Sequence, residues 1–326
     1  MKPTRRSCLF AFGAGLATAA APDLLSEWRR IAQSTDGTLG AAAMPLPSGR
    51  LVSLHGDQRF PLLSVCKLPL AMHVLAMVDE GRFALDQPIE VLPRDVWSGV
   101  SPIAERWPAE RRFPLIEMIE LMVARSDNTA IETFFRIGGG APAMAARLRQ
   151  WHVEGIRLDR GERQAGLDRN GVEHYPPPSE WTDASLKALL DKTPLPVRYQ
   201  ATLRSLRDPR DTGAPVGTVQ LLARLFRGEA LRPATTARLI DILKSTTTGP
   251  ARIKGLLPPG TVVAHKTGSS GTVEGLTAAT NDVGVIFLPT GRQLAIAVYL
   301  KASTRPDADR DRIIARAARA AYDWAA

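Results

Sequence analysis

Cysteine is almost missing from this chain: 326 residues contain two, Cys8 and Cys66. Cys8 falls in a segment that reads as a removable leader, which leaves Cys66 alone and excludes an intrachain disulfide. A lone thiol of this kind reads as a small core hydrophobe. Aromatic residues make up only 6%. They are not interleaved with the scattered basic residues, so nucleic-acid binding has no footprint here. The five histidines, His55, His73, His152, His174 and His265, show neither H-x-H nor H-E-x-x-H spacing. Zinc hydrolysis is therefore disfavoured, and neither a metal nor another cofactor is expected. The G-x-S-x-G elbow of the Ser-His-Asp esterases is missing as well. No apolar run is long enough for a permanent membrane anchor. Fixed-period repeats and low-complexity tracts are absent, the nearest feature being the loop-like HYPPPSEW at 174–181.

What is present is ordinary for a globular protein, with 44% hydrophobic and 23% charged residues. The length suits one large domain or two closely packed subdomains, with a monomer as the default state. The N-terminus has the three-part pattern of an export signal: a basic start, an apolar run from Cys8 to Ala21 and small residues. Adjacent Arg5 and Arg6 resemble a twin-arginine signal, which points to the periplasm. Cleavage after the Ala17–Ala19 stretch removes residues 1–19, and with them Lys2, Arg5 and Arg6 but no acid. The net charge then drops from +9 to +6, which mildly favours anionic ligands.

Apolar spacing predicts a first helix over 22–33 and two strands around a Pro-Ser-Gly turn. The C-terminal end carries three further strands, in GTVVAHKTG, GLTAATNDVGVIFLP and RQLAIAVYLKAS, and a closing helix near 307–324. The middle is mostly helical in pattern, including a helix over 114–124 and another over 129–137. Strands at both ends with helices between them imply an α+β fold: a five-stranded antiparallel sheet completed by the termini and flanked by helices, with an inserted all-helical lobe. The division expected is an α/β lobe of residues 20–63 and 256–326 and a helical lobe of 64–255. A cleft would form where the two meet.

The stretch FPLLSVCKLPLAMHVL, residues 60–75, places one lysine, Lys67, inside an apolar helix, three positions after Ser64. A buried ammonium is costly without a partner or a task. Lys67 could snorkel to the surface, or Ser64 could be a nucleophile activated by Lys67 on the same helix face. Ser126-Asp127-Asn128 lies between two apolar helices, where small polar residues commonly serve as an N-cap. Lys266-Thr267-Gly268 ends a strand, where lysine is commonly solvated and glycine marks a turn. Each signal is weak alone.

Together, in this order and on these elements, S-x-x-K, S-D-N and K-T-G are the signature set of class A β-lactamases and penicillin-binding proteins. The chain strongly resembles a class A β-lactamase over nearly all of its mature length, also through GVSPIAERW, SDNTAIETFFRIGG, TTTGPARIKGLLPPG and TAATNDVGVIFLPTGR. The resemblance implies that Ser64 attacks the lactam carbonyl, with an oxyanion hole of the Ser64 and Ser269 amides. It implies that Lys67 passes protons, with Lys266 lowering its pKa, and that Ser126 protonates the leaving nitrogen. Asn128 would bind the substrate's side-chain amide. Lys266, Thr267, Gly268 and Ser269 would form the strand edge that holds its carboxylate, supported by Arg252. Glu162, 36 positions after Ser126, would activate the water that finishes hydrolysis. The partner implied is a small β-lactam.

Three departures stand out. Gly166 occupies a position where the family often has asparagine, and Glu132 one where relatives carry asparagine or aspartate. Glu162 and Asp211 are 49 positions apart, far more than the family's usual short loop. Asp211 could pair with Arg160, and the extra segment, about 167–206, could cap the site or lie outside it. The alternative is a penicillin-binding protein or D,D-peptidase of the same fold, acylated but slow to deacylate.

Overall fold

The computed structural model describes residues 23–47 and 49–326. The leader, its twin arginines and its cleavage site lie outside the described residues, as do Pro22 and Ser48. The chain opens with α1 (Leu24–Gln33), β1 (Thr38–Leu46), β2 (Val52–Leu54) and β3 (Phe60–Pro61). A 3₁₀ turn, Leu63–Cys66, leads into α2 (Lys67–Asp79). Next come β4 (Pro88–Glu90), α3 (Pro102–Arg106), β5 (Arg112–Pro114), α4 (Leu115–Ala124), α5 (Asn128–Ile137) and α6 (Gly140–Gln150). The long loop holds α7 (Glu162–Arg169), α8 (Asp183–Lys192) and α9 (Leu195–Ser205) before β6 (Thr212–Gly213). α10 (Pro215–Phe226) and α11 (Pro233–Lys244) precede β7 (Val263–Ser269), β8 (Thr272–Val273), β9 (Leu276–Phe287), β10 (Gln293–Ser303) and α12 (Asp307–Ala325).

The sheet runs β2-β1-β10-β9-β7, antiparallel throughout, with short β8 added on β9. It is closed by the termini because β1 pairs with β10, Ala41 opposite Val298. The central strands are apolar on both faces, which explains why LAIAVYL reads as a continuous run rather than an alternation. Leu294, Ile296, Val298 and Leu300 pack with α1 and α12. Ala295, Ala297 and Tyr299 face the other way, into the core shared with α2, α4 and α10. α2 is buried all round from Lys67 to Met77, as expected for a helix at the centre of a lobe.

Apart from this, the inserted lobe is helical with two small ribbons, β4–β5 and β3–β6. The second ribbon matters for the site. It pairs Pro61 with Thr212, and the Leu62 amide donates to Asp211 O at 3.0 Å. The end of the long loop is thereby stitched to the entry of the Ser64 turn.

The extra segment is built into the molecule. Leu167, Val172, Trp181 and Leu186 form a small core of their own. Asp183 accepts a hydrogen bond from the Ser98 amide at 2.8 Å, and α9 packs against α7, β8 and β9. Among the described residues no helix is long and apolar enough to cross a membrane.

Trp28 is fully buried and donates its indole N–H to Ala317 O at 3.0 Å, fastening α1 to α12. Trp28→Ala is expected to lower stability by roughly 3–5 kcal/mol. The check is urea denaturation, with a lower midpoint at an unchanged slope.

Candidate active site

Ser64 is the second residue of the 3₁₀ turn, and its neighbour Leu63 has φ of +49°. That conformation is unfavourable for a branched side chain and persists only where the surroundings impose it. Here the buried Asn281 of β9 donates to Pro61 O at 2.8 Å and Leu62 O at 3.2 Å. On the other side β7 presses in at Gly268. A Cβ there would lie 2.6 Å from Leu62 O and 3.2 Å from the Ser64 amide nitrogen, so only glycine permits this approach.

Lys67 opens α2 and is fully buried. Its ammonium donates to Ser126 O at 2.6 Å, Ser126 Oγ at 3.1 Å and Asn128 Oδ1 at 2.7 Å. All three protons are thus satisfied. Ser64 Oγ makes no hydrogen bond with the described residues, so the expected closeness of Ser64 and Lys67 on one helix face is not expressed as a bond. The ammonium is drawn instead to the three acceptors of the 126–128 turn.

That turn is held from behind. Asp127 is the N-cap of α5, accepting from the Ala130 amide at 2.8 Å, and also receives Ser101 Oγ and the Ile103 amide. The N-cap reading of S-D-N therefore applies to Asp127, while Ser126 and Asn128 turn toward Lys67. Ser126 itself has φ of +62°, which turns its hydroxyl and carbonyl toward Lys67.

From the opposite side Lys266, also fully buried, donates to Ser126 Oγ at 3.2 Å and to Thr267 O at 3.0 Å. One hydroxyl lies between two ammonium groups. Burial lowers the pKa of Lys67, with the Glu162 charge the largest opposing influence. Burial pulls Lys266 well down, and the charge of Lys67 pulls it further.

Along β7, Thr267 Oγ1 meets Thr248 Oγ1 at 2.6 Å. Arg252 donates to Ser269 Oγ at 2.7 Å and Asn281 O at 2.9 Å, and is anchored by Asp311 at 2.7 Å. His265 points to the far face, paired with buried Asp282 at 2.9 Å. Among the described residues no group of histidine, cysteine and acidic side chains could hold a metal.

Glu162 begins α7, and its carboxylate pairs with Arg169 at 2.7 Å. The anticipated Arg160–Asp211 bond is present at 2.6 Å, and Arg160 also holds Asp168 at 2.5 Å. Asp211 Oδ1 further accepts the Asp159 and Arg160 amides. Glu132 accepts the Arg163 amide at 2.8 Å. Its Oε2 would lie 2.9 Å from any Cβ at Gly161. At Gly166 a Cβ would lie 2.8 Å from the Trp97 ring, so Trp97 occupies the room an asparagine would need.

A cavity of about 670 Å³ is lined by Glu162 and Arg169, by Leu63 and Cys66 of the nucleophile turn, and by Ala201 and Arg204 of α9. The extra segment therefore walls a space that reaches Glu162. Asn281, Thr248 and Arg169 were not foreseen. The one available signal was the polar Asn281-Asp282 pair inside an otherwise apolar strand.

The sequence pattern of the Beta-lactamase enzyme family matches residues 23–325. The chain belongs to that family. It is 30% identical over 318 residues to extended-spectrum beta-lactamase PER-1 of Pseudomonas aeruginosa, covering 97% of this chain and 92% of that one. Identity is also 30% over 319 residues to the carbapenem-hydrolyzing beta-lactamase KPC of Klebsiella oxytoca, covering 97% and 94%. The crystal structure of a beta-lactamase from Chitinophaga pinensis superposes with a TM-score of 0.77 at 32% identity, covering 93% of this chain and 99% of that one. An ancestral class A beta-lactamase superposes at 0.74 with 30% identity, covering 93% and 100%. This family member is a class A serine β-lactamase.

Burial raises the Glu132 carboxyl from its ordinary value of 4.5 to about 7. The Arg163 amide and charge oppose the shift, and the charge of Glu162 adds to it. Between these values the folded chain holds a proton that the unfolded chain has released. This group therefore destabilises the fold progressively as pH rises from 4.5 to 7. Glu132→Gln keeps the acceptor for Arg163 and removes that dependence, on the order of 3 kcal/mol. Denaturation midpoints across this window check it, and parallel curves for the two proteins would contradict it.

Proposed function

We propose that Ser64 attacks the β-lactam carbonyl of penicillins and cephalosporins, that the C–N bond breaks to leave a Ser64 ester, and that Glu162 activates the water which releases it. The ring-opening hydrolysis itself is the reaction of the family and confers resistance. The observation that carries these residue roles is the placement of Ser126 Oγ between Lys67 and Lys266, at 3.1 and 3.2 Å. It suits a hydroxyl that relays a proton to a leaving nitrogen.

Lys67, as the neutral amine that its burial favours, turns from the 126–128 acceptors to Ser64 and takes its proton, becoming the ammonium. The Ser64 and Ser269 amides form the oxyanion hole, consistent with the approach of β7 at Gly268. Asn128 meets the substrate's amide. Lys266, Thr267, Ser269 and Arg252 meet its carboxylate, two of them as cations on an edge already bonded together.

The segment 1–19 directs export to the periplasm by a twin-arginine route, and the mature 20–326 chain acts as a single domain and a monomer. The Trp97 ring at Gly166, which leaves no room for a side chain that could steady a water, is the one observation that favours a slowly deacylating, penicillin-binding reading.

Two variants separate these readings by intact mass and turnover. Ser64→Ala is expected to form no adduct and lose activity by at least ~10⁴-fold. Glu162→Gln is expected to acylate and then stall, with hydrolysis down at least ~10²-fold. An adduct in Ser64→Ala would overturn the nucleophile. Unchanged turnover in Glu162→Gln would place the general base elsewhere.

A further inference from the structure

Glu162 and Arg169 are the first and last residues of α7, two turns apart and so on one helix face. Arg169 Nη2 donates to Glu162 Oε1 at 2.7 Å, with only 22% and 15% of the two side chains exposed. Neither side chain has another polar partner among the described residues. The other carboxylates lining the same cavity are already engaged. Asp168 binds Arg160 and Tyr175, Asp208 binds Arg210, and Asp211 binds Arg160 and two backbone amides. Lys67 spends its three protons on Ser126 and Asn128 and reaches no carboxylate. At Gly166 the ring of Trp97 leaves no room for a side chain that could steady a water. Glu162 is thus oriented by Arg169 alone. Its Oε2 accepts no hydrogen bond from the described residues, and both side chains line the cavity of about 670 Å³, large enough for several waters.

We propose that Arg169 is a positioning residue for deacylation: it grips Oε1 of Glu162 and leaves Oε2 free to take the proton of a water supplied from this cavity. The inference rests on the reading of Glu162 as general base. In the step, the water oxygen bonds to the acyl carbon as Oε2 receives its proton. The bond from that carbon to Ser64 Oγ then breaks, and the proton taken by Glu162 is returned to Oγ through Lys67, which leaves Glu162 ionised again. Acylation uses Ser64, Lys67 and Ser126 and makes no demand on Arg169.

Stopped-flow acylation, steady-state turnover and intact mass with a chromogenic cephalosporin test this on the full mature enzyme. Arg169→Met is expected to acylate within about twofold of the unmutated rate but to deacylate at least ~10-fold more slowly, with the adduct accumulating. Arg169→Lys is expected to recover most of the loss. In a Glu162→Gln background, Arg169→Met is expected to add nothing, because the two act as one unit. If Arg169→Met deacylates normally while Glu162→Gln stalls, Arg169 has no positioning role and the general base stands. If Glu162→Gln itself turns over normally, both fall. Equal loss of acylation and deacylation with a lowered thermal midpoint would make Arg169 merely structural and overturn the inference. Should Arg169→Met fail to fold, Arg169→Gln and Arg169→Lys carry the same comparison.

Discussion

The site is organised around a cation with no access to water. Lys67 is buried at the start of α2, and an uncompensated ammonium there would be strongly destabilising. Its compensation comes from three acceptors on one short turn, Ser126 O, Ser126 Oγ and Asn128 Oδ1. To present them the turn takes a left-handed conformation at Ser126, and Asp127 holds it there by capping α5 and gripping α3. A second buried cation, Lys266, then reaches the same Ser126 hydroxyl from β7. The 126–128 turn between α4 and α5 and strand β7 of the sheet meet through this hydroxyl.

The approach of β7 is possible because Gly268 has no side chain and because Asn281 ties the Ser64 turn to β9. The long loop is fastened by the same economy of partners. Arg160 gathers Asp168 and Asp211, while β6 pairs with β3 just before Ser64. The loop's unusual length does not loosen it, since α9 packs back on α7, β8 and β9. Two departures from the family pattern prove to be local substitutions of space. Trp97 fills the room opposite Gly166, and Glu132 supplies an acceptor for the loop amide at Arg163.

Much of this was legible beforehand because it rests on short spacings. Ser64 with Lys67, the 126–128 triplet and the 266–268 triplet announced themselves by order and by element, and the apolar runs of β7, β9 and β10 marked the sheet. The Arg160–Asp211 bond was legible from two charges at the ends of one loop. The aim of the Lys67 ammonium was not, because spacing on a helix gives a face but not the competing acceptors across the cleft. The ribbon β3–β6 is two residues wide and has no periodicity to read. The docking of α9 and the partners of Asn281 depend on tertiary packing that no local pattern encodes, and Arg169 meets Glu162 only because that stretch is helical, which brings the two onto one face.

The central claim is that this arrangement both forms and releases the Ser64 ester. Its most direct test is to mix the purified mature protein with a large excess of a chromogenic cephalosporin, following absorbance over time and intact mass at the end. Sustained turnover far beyond one equivalent, with no persisting adduct, is the predicted result. A burst of a single equivalent that leaves a stable adduct would contradict the account.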